Sequence, residues 1–175
     1  NTQDLFIKLN DGRYRPMFNA ESYALQQLAR VGGLTVPEPE LALDVASQAA
    51  LVLPYFSLTQ LSNEGFYQAG VALARCHQST NPLYGWPHDN YIGTSVQPNG
   101  WFKDWSTFFI QQRLGHQIAL LNDARINRFT SQLSRLAPLL DAHTPVASLL
   151  HGDLWSGNIA ADSADCPVFY DPASY

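Results

Sequence analysis

The chain has 175 residues, enough for one ordinary domain with a buried core. Hydrophobic residues make up 46% and charged ones only 14%, against roughly 25% in most soluble chains, which excludes a solvated disordered tail. Ten basic side chains against fifteen acidic ones leave a net charge of −5, with no surplus of cations for sequence-blind nucleic-acid binding. No apolar run approaches the ~18 residues of a membrane-spanning helix, and the N-terminus lacks the form of a signal peptide. Cys76 and Cys166 are too few for a disulfide framework and have no CxxC spacing for zinc, so inert thiols in a reduced, cytoplasmic setting are expected. The chain opens without Met on a strand-like run and stops at Asp171-Pro-Ala-Ser-Tyr175, which reads as a fragment, incomplete at both ends.

Leu5–Leu9 is a short β-type run containing a lysine, followed by the polar turn Asn10–Arg13. From Asn19 to Arg30 the spacing of Tyr23, Ala24, Leu28 and Val31 predicts a helix, capped by Asn19 and ended by Gly32-Gly33. Val36-Pro-Glu-Pro39 is extended, because each proline biases its predecessor that way. Ala49–Leu53 reads as a buried strand stopped by Pro54. A second helix is expected over Asn63–Gln78, its inner face formed by Phe66, Ala69, Leu73, Ala74 and a core His77. Residues 81–101, rich in proline and glycine, read as an ordered loop. A long helix should run from Asp104 to Leu121 and another from Thr130 to Leu140, before a β-rich end at 148–150 and 168–170. A β-containing lobe over 1–56 and a mainly helical lobe over 57–175 is the simplest α+β reading.

The densest polar cluster is His151-Gly-Asp-Leu-Trp-Ser-Gly-Asn158, with Asp171 thirteen residues beyond Asn158. Asp153, Asn158 and Asp171 make an oxygen-rich set, the kind of donors Mg²⁺ prefers alongside waters and phosphate oxygens. An aspartate beside such a metal can take the proton of an attacking hydroxyl. The spacing matches a kinase catalytic loop, H-x-D-x-x-x-x-N, with its following metal-binding aspartate. The plainer alternative is a tight turn capped by Asp153 and Asn158. Lys8 is one of only two lysines, yet it sits within an apolar strand, where burial costs several kcal/mol, roughly, without a carboxylate or phosphate partner. Glu21, early in the next helix, can be that carboxylate, and the pair can serve the α- and β-phosphates of a nucleotide. A lysine on an edge strand facing water is the simpler reading. Leu51–Phe56 can be a hinge, with the Pro54 carbonyl and the Phe56 N–H meeting the adenine edge; an ordinary buried strand end is the simpler reading.

His151–Asn158 with Asp171–Tyr175 resembles the fructosamine/ketosamine-3-kinase family, within the aminoglycoside-phosphotransferase and choline-kinase group. Tyr84–Gly93, Gln97–Trp101 and Asp104-Trp105, Phe108-Phe109 and Arg113 resemble the middle segment of that family, so the likeness covers most of the chain. It implies a protein-kinase-like two-lobe fold and ATP- and Mg²⁺-dependent phosphorylation of the sugar 3-hydroxyl of ketosamines. The product then decomposes to release the amine, a deglycation or repair activity. The acceptor would be a small-molecule ketosamine or a glycated protein side chain, without nucleic acid or membrane. By the same resemblance Asp153 is the catalytic base, Asn158 and Asp171 bind the metal, Lys8 binds phosphate and Glu21 orients it. His151 buttresses the loop. Trp155 offers a flat face to the sugar or packs in the core, and His88, Asp89 and Asn90 line the acceptor side or simply form a turn.

No glycine-rich loop precedes Lys8, and Gly152 stands where many protein kinases carry an arginine that answers a phosphorylated activation loop. A constitutively ordered enzyme is therefore expected. An aminoglycoside- or choline-type phosphotransferase of the same fold and a non-catalytic nucleotide-binding fragment are the rivals. Hydrolase chemistry fits poorly: Leu154 breaks the G-x-S-x-G frame around Ser156, and the five histidines have no zinc spacing.

Overall fold

The structure, a computed structural model, describes residues 4–175. The fold is α+β, and its described residues form two compact units. One comprises the chain up to Ser79 together with Leu149–Ser174; the other comprises Thr80–Ser148 with Tyr175.

In the first unit, strands β1 (Leu5–Asp11), β2 (Leu41–Val45) and β3 (Gln48–Pro54) form an antiparallel sheet in the order β1-β3-β2. Lys8 pairs with Leu51, and Val52 lies between Ile7 and Leu41. The two-residue period of β1 sends Leu5, Ile7 and Leu9 to one face and Phe6 and Lys8 to the other. As the central strand, β3 is the buried one: Ala49, Ala50, Leu51 and Leu53 are all inside.

Helix α1 (Arg15–Val31) starts four residues before the expected Asn19. Pro16 explains this, since its fixed φ suits a first turn that needs no N–H from it. Asn19 lies inside the helix and accepts from Arg15 Nε at 2.9 Å. Helix α2 (Asn63–Cys76) begins at Ser62, whose Oγ accepts from the Gly65 N–H at 3.1 Å. Ser62 is itself held by Asp165, which accepts from its backbone N–H at 3.1 Å and from its hydroxyl. The inner face of α2 is Gly65, Ala69, Ala72 and Cys76, whereas Phe66 and His77 are exposed. Small residues let this helix approach its neighbours closely; of the residues expected inside, Leu73 packs partly buried against the core, while Phe66, Ala74 and His77 turn outward.

The hairpin β8 (Ile159–Ala161) and β9 (Pro167–Phe169) completes the unit. Phe169 is fully buried with Phe18, Leu25 and Leu28 of α1, Leu51 and Leu53 of β3, and Ala69 and Cys76 of α2. Burial of one such ring is worth about 1.5–3 kcal/mol. The Phe169 N–H also donates to the Thr35 carbonyl at 2.9 Å. Together these contacts fix where the chain emerges toward Asp171.

In the second unit, the expected loop at 81–101 is two antiparallel pairs: β4 (Tyr84–Trp86) with β7 (Gly100–Phe102), and β5 (Asn90–Ile92) with β6 (Ser95–Gln97). Their three-residue length leaves too little alternation to read from sequence. Gly85 has φ +121°, and a Cβ there would stand 1.8 Å from the Gly100 carbonyl oxygen, so only glycine allows β4 and β7 to meet. The expected helix from Asp104 is helical through Leu121 but not uniform: α3 (Trp105–Phe108), a π-helical stretch over Phe109–Gly115, then α4 (His116–Leu121). Asn122, at φ +46°, ends it. A short α5 (Ala124–Asn127) follows, capped by Asp123. The predicted Thr130–Leu140 helix is a 3₁₀ stretch to Leu136 and then α6 (Ala137–Asp141), which begins with Pro138 in its first turn. Among the described residues no helix is long and apolar enough to cross a membrane.

Candidate active site

The polar groups gathered in the first unit come from opposite ends of the chain. Lys8 points from β1 toward α1, and its ammonium donates to Glu21 Oε1 at 2.6 Å and to Asp171 Oδ1. Burial alone would lower the Lys8 pKa, but Glu21 and Asp171 outweigh it and leave it raised, so the ammonium is firmly charged. Glu21 is pushed up by its burial, an effect that Lys8 only partly offsets. The lysine is therefore no edge-strand charge facing water.

The loop that carries Asp153 is built around a glycine. Gly152 has φ +85°, and a Cβ there would lie 2.0 Å from the Ala173 carbonyl oxygen and 2.5 Å from its carbon. The backbone of the segment after Asp171 thus runs directly against the loop, where the Ala173 N–H donates to the His151 carbonyl at 2.9 Å. His151 is buried, and its Nε2 donates to the Tyr170 carbonyl at 3.1 Å. Desolvation lowers the pKa of this imidazole and keeps it neutral; the bond to Tyr170 and the nearby carboxylates only partly oppose this. The neutral ring thus holds the Tyr170 backbone, while the His151 backbone carbonyl holds Ala173.

Asn158 is buried and ties the three parts together. Its Nδ2 donates to the Asp153 carbonyl at 2.7 Å and to Asp153 Oδ2 at 3.2 Å, with a longer contact of 3.5 Å to the Asp171 carbonyl. With the amide nitrogen committed in this way, Oδ1 is the atom Asn158 can offer to a cation. Asp171 has φ +57°, a left-handed conformation that aspartate tolerates better than most residues. Its carboxylate is about half exposed, while Pro172, Ala173 and Ser174 behind it are buried. Among the described residues no three His, Cys, Asp or Glu side chains cluster as a protein-only metal cage. Asp171 and Asn158 supply two oxygen donors from one network, which suits a hard cation completed by water and phosphate oxygens.

Trp155 is 61% exposed, which removes the core-packing alternative. Its indole lies over Gly157, where any Cβ would come within 2.4 Å of the ring. Pro54 closes β3 and Phe56 follows half-buried; between them the Tyr55 N–H donates to the Asp4 carbonyl at 3.0 Å.

His88, Asp89 and Asn90 belong to the second unit. Asp89 Oδ1 accepts from the Asn99 N–H at 2.9 Å, and the buried Asn90 accepts through Oδ1 from Asn99 Nδ2 at 3.0 Å. The same Nδ2 reaches the His88 carbonyl at 3.0 Å, so Asn99 is the hub of this loop. Arg113 in turn donates to Asn99 Oδ1 at 2.7 Å and to the Pro98 carbonyl at 2.8 Å. Its guanidinium lies 4.5 Å from the centre of the Phe108 ring and 4.4 Å from that of Tyr175. Burial lowers its pKa to about 10, still cationic at neutral pH. Nothing in the sequence singles out Asn99, since its partners lie on both flanks of two short hairpins.

A charged lysine held between two carboxylates, one of them beside an Asp–Asn loop, belongs to the class of oxygen-rich sites suited to phosphoryl groups. Comparison with known proteins agrees in kind. A family model described as fructosamine kinase matches residues 1–175, and the chain belongs to that family. A probable ketoamine kinase of Vibrio parahaemolyticus is 36% identical over 99% of this chain and 61% of its own length. The chloroplastic protein-ribulosamine 3-kinase of Arabidopsis thaliana is 33% identical over 97% of this chain and 54% of its own. The crystal structure of a protein assigned as a fructosamine-3-kinase from Haemophilus somnus 129PT superimposes with a TM-score of 0.87 at 28% identity, covering 99% of this chain and 59% of that one. The chain thus spans about 61% of the length of the bacterial relatives it matches.

Proposed function

We propose that the protein is an ATP-dependent kinase that phosphorylates the sugar 3-hydroxyl of ketosamines, free or on glycated protein side chains. The reading is supported chiefly by one observation: hydrogen bonds join Lys8 to Asp171 and Asn158 to Asp153, while Asn158 also approaches the Asp171 backbone. A turn capped by its own polar residues has no need of a lysine from β1.

In this reading the fold is protein-kinase-like, with residues 1–56 as nucleotide lobe and hinge and 57–175 as catalytic and acceptor lobe. Lys8, oriented by Glu21, binds nucleotide phosphates, and the Pro54 carbonyl and Phe56 N–H meet the adenine edge. Asp153 accepts the proton of the acceptor hydroxyl as the O3–Pγ bond forms and the bond from Pγ to the leaving β-phosphate oxygen breaks, giving ADP. The Asn158 bond to Asp153 Oδ2 holds that carboxylate in one orientation, which favours proton transfer at the other oxygen. Asn158 and Asp171 would hold Mg²⁺, which when bound neutralises charge on the transferring phosphoryl group. Trp155 gives the sugar a flat apolar face. His88 remains an accessible candidate on the acceptor side; Asp89 and Asn90 would shape its loop. A reduced, cytoplasmic compartment suits the free thiols of Cys76 and Cys166.

The test is phosphoryl transfer by the whole protein from Mg-ATP to fructosyl-amine, ribulosyl-amine and aminoglycoside acceptors. Transfer to the first two is expected. Phosphate on the aminoglycoside alone overturns the substrate assignment, and nucleotide binding without any transfer overturns the enzyme.

A further inference from the structure

We propose that Lys8 decides when a divalent cation reaches Asp171: its ammonium serves as that carboxylate's own counter-cation, admitting metal together with a nucleotide and excluding it otherwise. The inference rests on reading Asp171 as a metal-binding residue. It concerns the ligand-free protein, for which that reading makes no statement.

Three features carry it. Lys8 has three N–H donors and no acceptor; two of them are engaged by Glu21 and Asp171. The two carboxylates differ in surroundings, Glu21 being 13% exposed in its side chain and Asp171 49%. Glu21 is thus the fixed anchor of the ammonium, and Asp171 the partner that solvent and ligands can reach. Finally, Asp171 cannot follow a moving lysine. Phe169 and residues 172–174 are buried on either side of it, and the Ala173 N–H is bonded to His151. Exchange of partners must therefore come from rotation of the Lys8 side chain about its Glu21 anchor.

The electrostatics follow. A divalent cation arriving alone meets an Asp171 already bonded to an ammonium, which stands at contact distance. Like charges that close repel even in a partly solvated setting. Nucleotide phosphates change the balance, because they offer Lys8 a stronger anionic partner and bring the metal with them. Lys8 then leaves Asp171, and the freed carboxylate becomes a ligand. A lysine bonded to Glu21 alone would give no such discrimination.

The experiment titrates the whole protein with Mn²⁺, followed by water-proton relaxation, first without nucleotide and then with saturating ADP. Wild type should bind Mn²⁺ weakly alone and tightly with ADP. Lys8→Met should tighten nucleotide-free binding by at least about tenfold, the effect of removing one nearby charge. Lys8→Arg, which keeps the charge, should stay near wild type. Lys8→Met/Glu21→Met replaces the buried pair with apolar side chains and so guards the fold; it should show the same gain, placing the metal away from Glu21. Adding Asp171→Asn to that pair should abolish the gain. Nucleotide-free binding no tighter without Lys8 than with it, or a gain that survives Asp171→Asn, overturns the proposal. Failure of wild type to bind Mn²⁺ even with ADP removes the kinase reading itself, a separate outcome.

Discussion

Replacing Gly152 with alanine tests how the loop that carries Asp153 is held. An L-residue in the left-handed region pays about 1–2 kcal/mol. The added Cβ would also stand 2.0 Å from the Ala173 carbonyl oxygen, where contacts below 3.0 Å are essentially never seen, so that backbone must retreat by roughly the 1.0 Å difference. Its retreat strains or breaks the bond from the Ala173 N–H to the His151 carbonyl, about 1 kcal/mol, and repacks buried residues at a further cost of about 1–3 kcal/mol. The sum is about 3–6 kcal/mol, a fall in melting temperature on the order of 10 °C or more. Gly32→Ala supplies the control, because Gly32 has φ +72° but no atom within 4 Å of its hypothetical Cβ. It should show the conformational cost alone. Thermal melts of the two variants separate the contributions. If Gly152→Ala melts within about 2 °C of Gly32→Ala, the close approach does not hold the loop, and the argument fails. The same crowding leaves no space for an arginine here, so treatment with an upstream kinase or a phosphatase should leave activity unchanged.

Asp153→Asn keeps the shape of the loop and should abolish phosphoryl transfer while leaving nucleotide affinity within a few-fold; turnover within about tenfold of wild type would exclude Asp153 as the base. His151 is buried and its pKa lies below the usual 6.5, so the unfolded chain binds its proton more readily. Its contribution is complete above the unfolded value and is lost as pH falls through the lower folded value. Melting temperature should therefore decline below pH 6.5, and His151→Gln should flatten that part of the slope. Arg113→Lys keeps the charge but loses the planar stack on Phe108 and Tyr175 and the paired bonds to Asn99 and Pro98. A loss of about 2–4 kcal/mol is expected, seen as faster hydrogen exchange at residues 88–99.

The candidate site was legible because its chemistry is local in sequence. Asp153 and Asn158 lie five residues apart in one loop, and Lys8 was conspicuous as a charge in an apolar strand. The pairing of Lys8 with Glu21 followed from the adjacent strand and helix. Its second partner, Asp171, required knowing that β9 enters the core beside α1 and β3, which no spacing reveals. Gly152 could be seen as the absence of an arginine, but the Ala173 carbonyl that requires glycine is distant in the chain. The middle segment was least legible. Three-residue strands carry too little alternation to be recognised, and the π-helical stretch that presents Arg113 leaves the ordinary helical period.

The polypeptide of the first unit is interrupted at Ser79 and resumes at Leu149, whose N–H closes on the Ser79 carbonyl at 2.9 Å. During synthesis from the N-terminus, Lys8 must wait for a partner 163 positions downstream, and the Ser62 cap for one 103 positions on. The intervening stretch, Thr80–Ser148, can condense while still tethered to the ribosome. By doing so it would shorten the effective loop that the two halves of its host must close. Completion of the first unit is then tied to residues 149–174, which a nascent chain reaching only to Ser148 would lack.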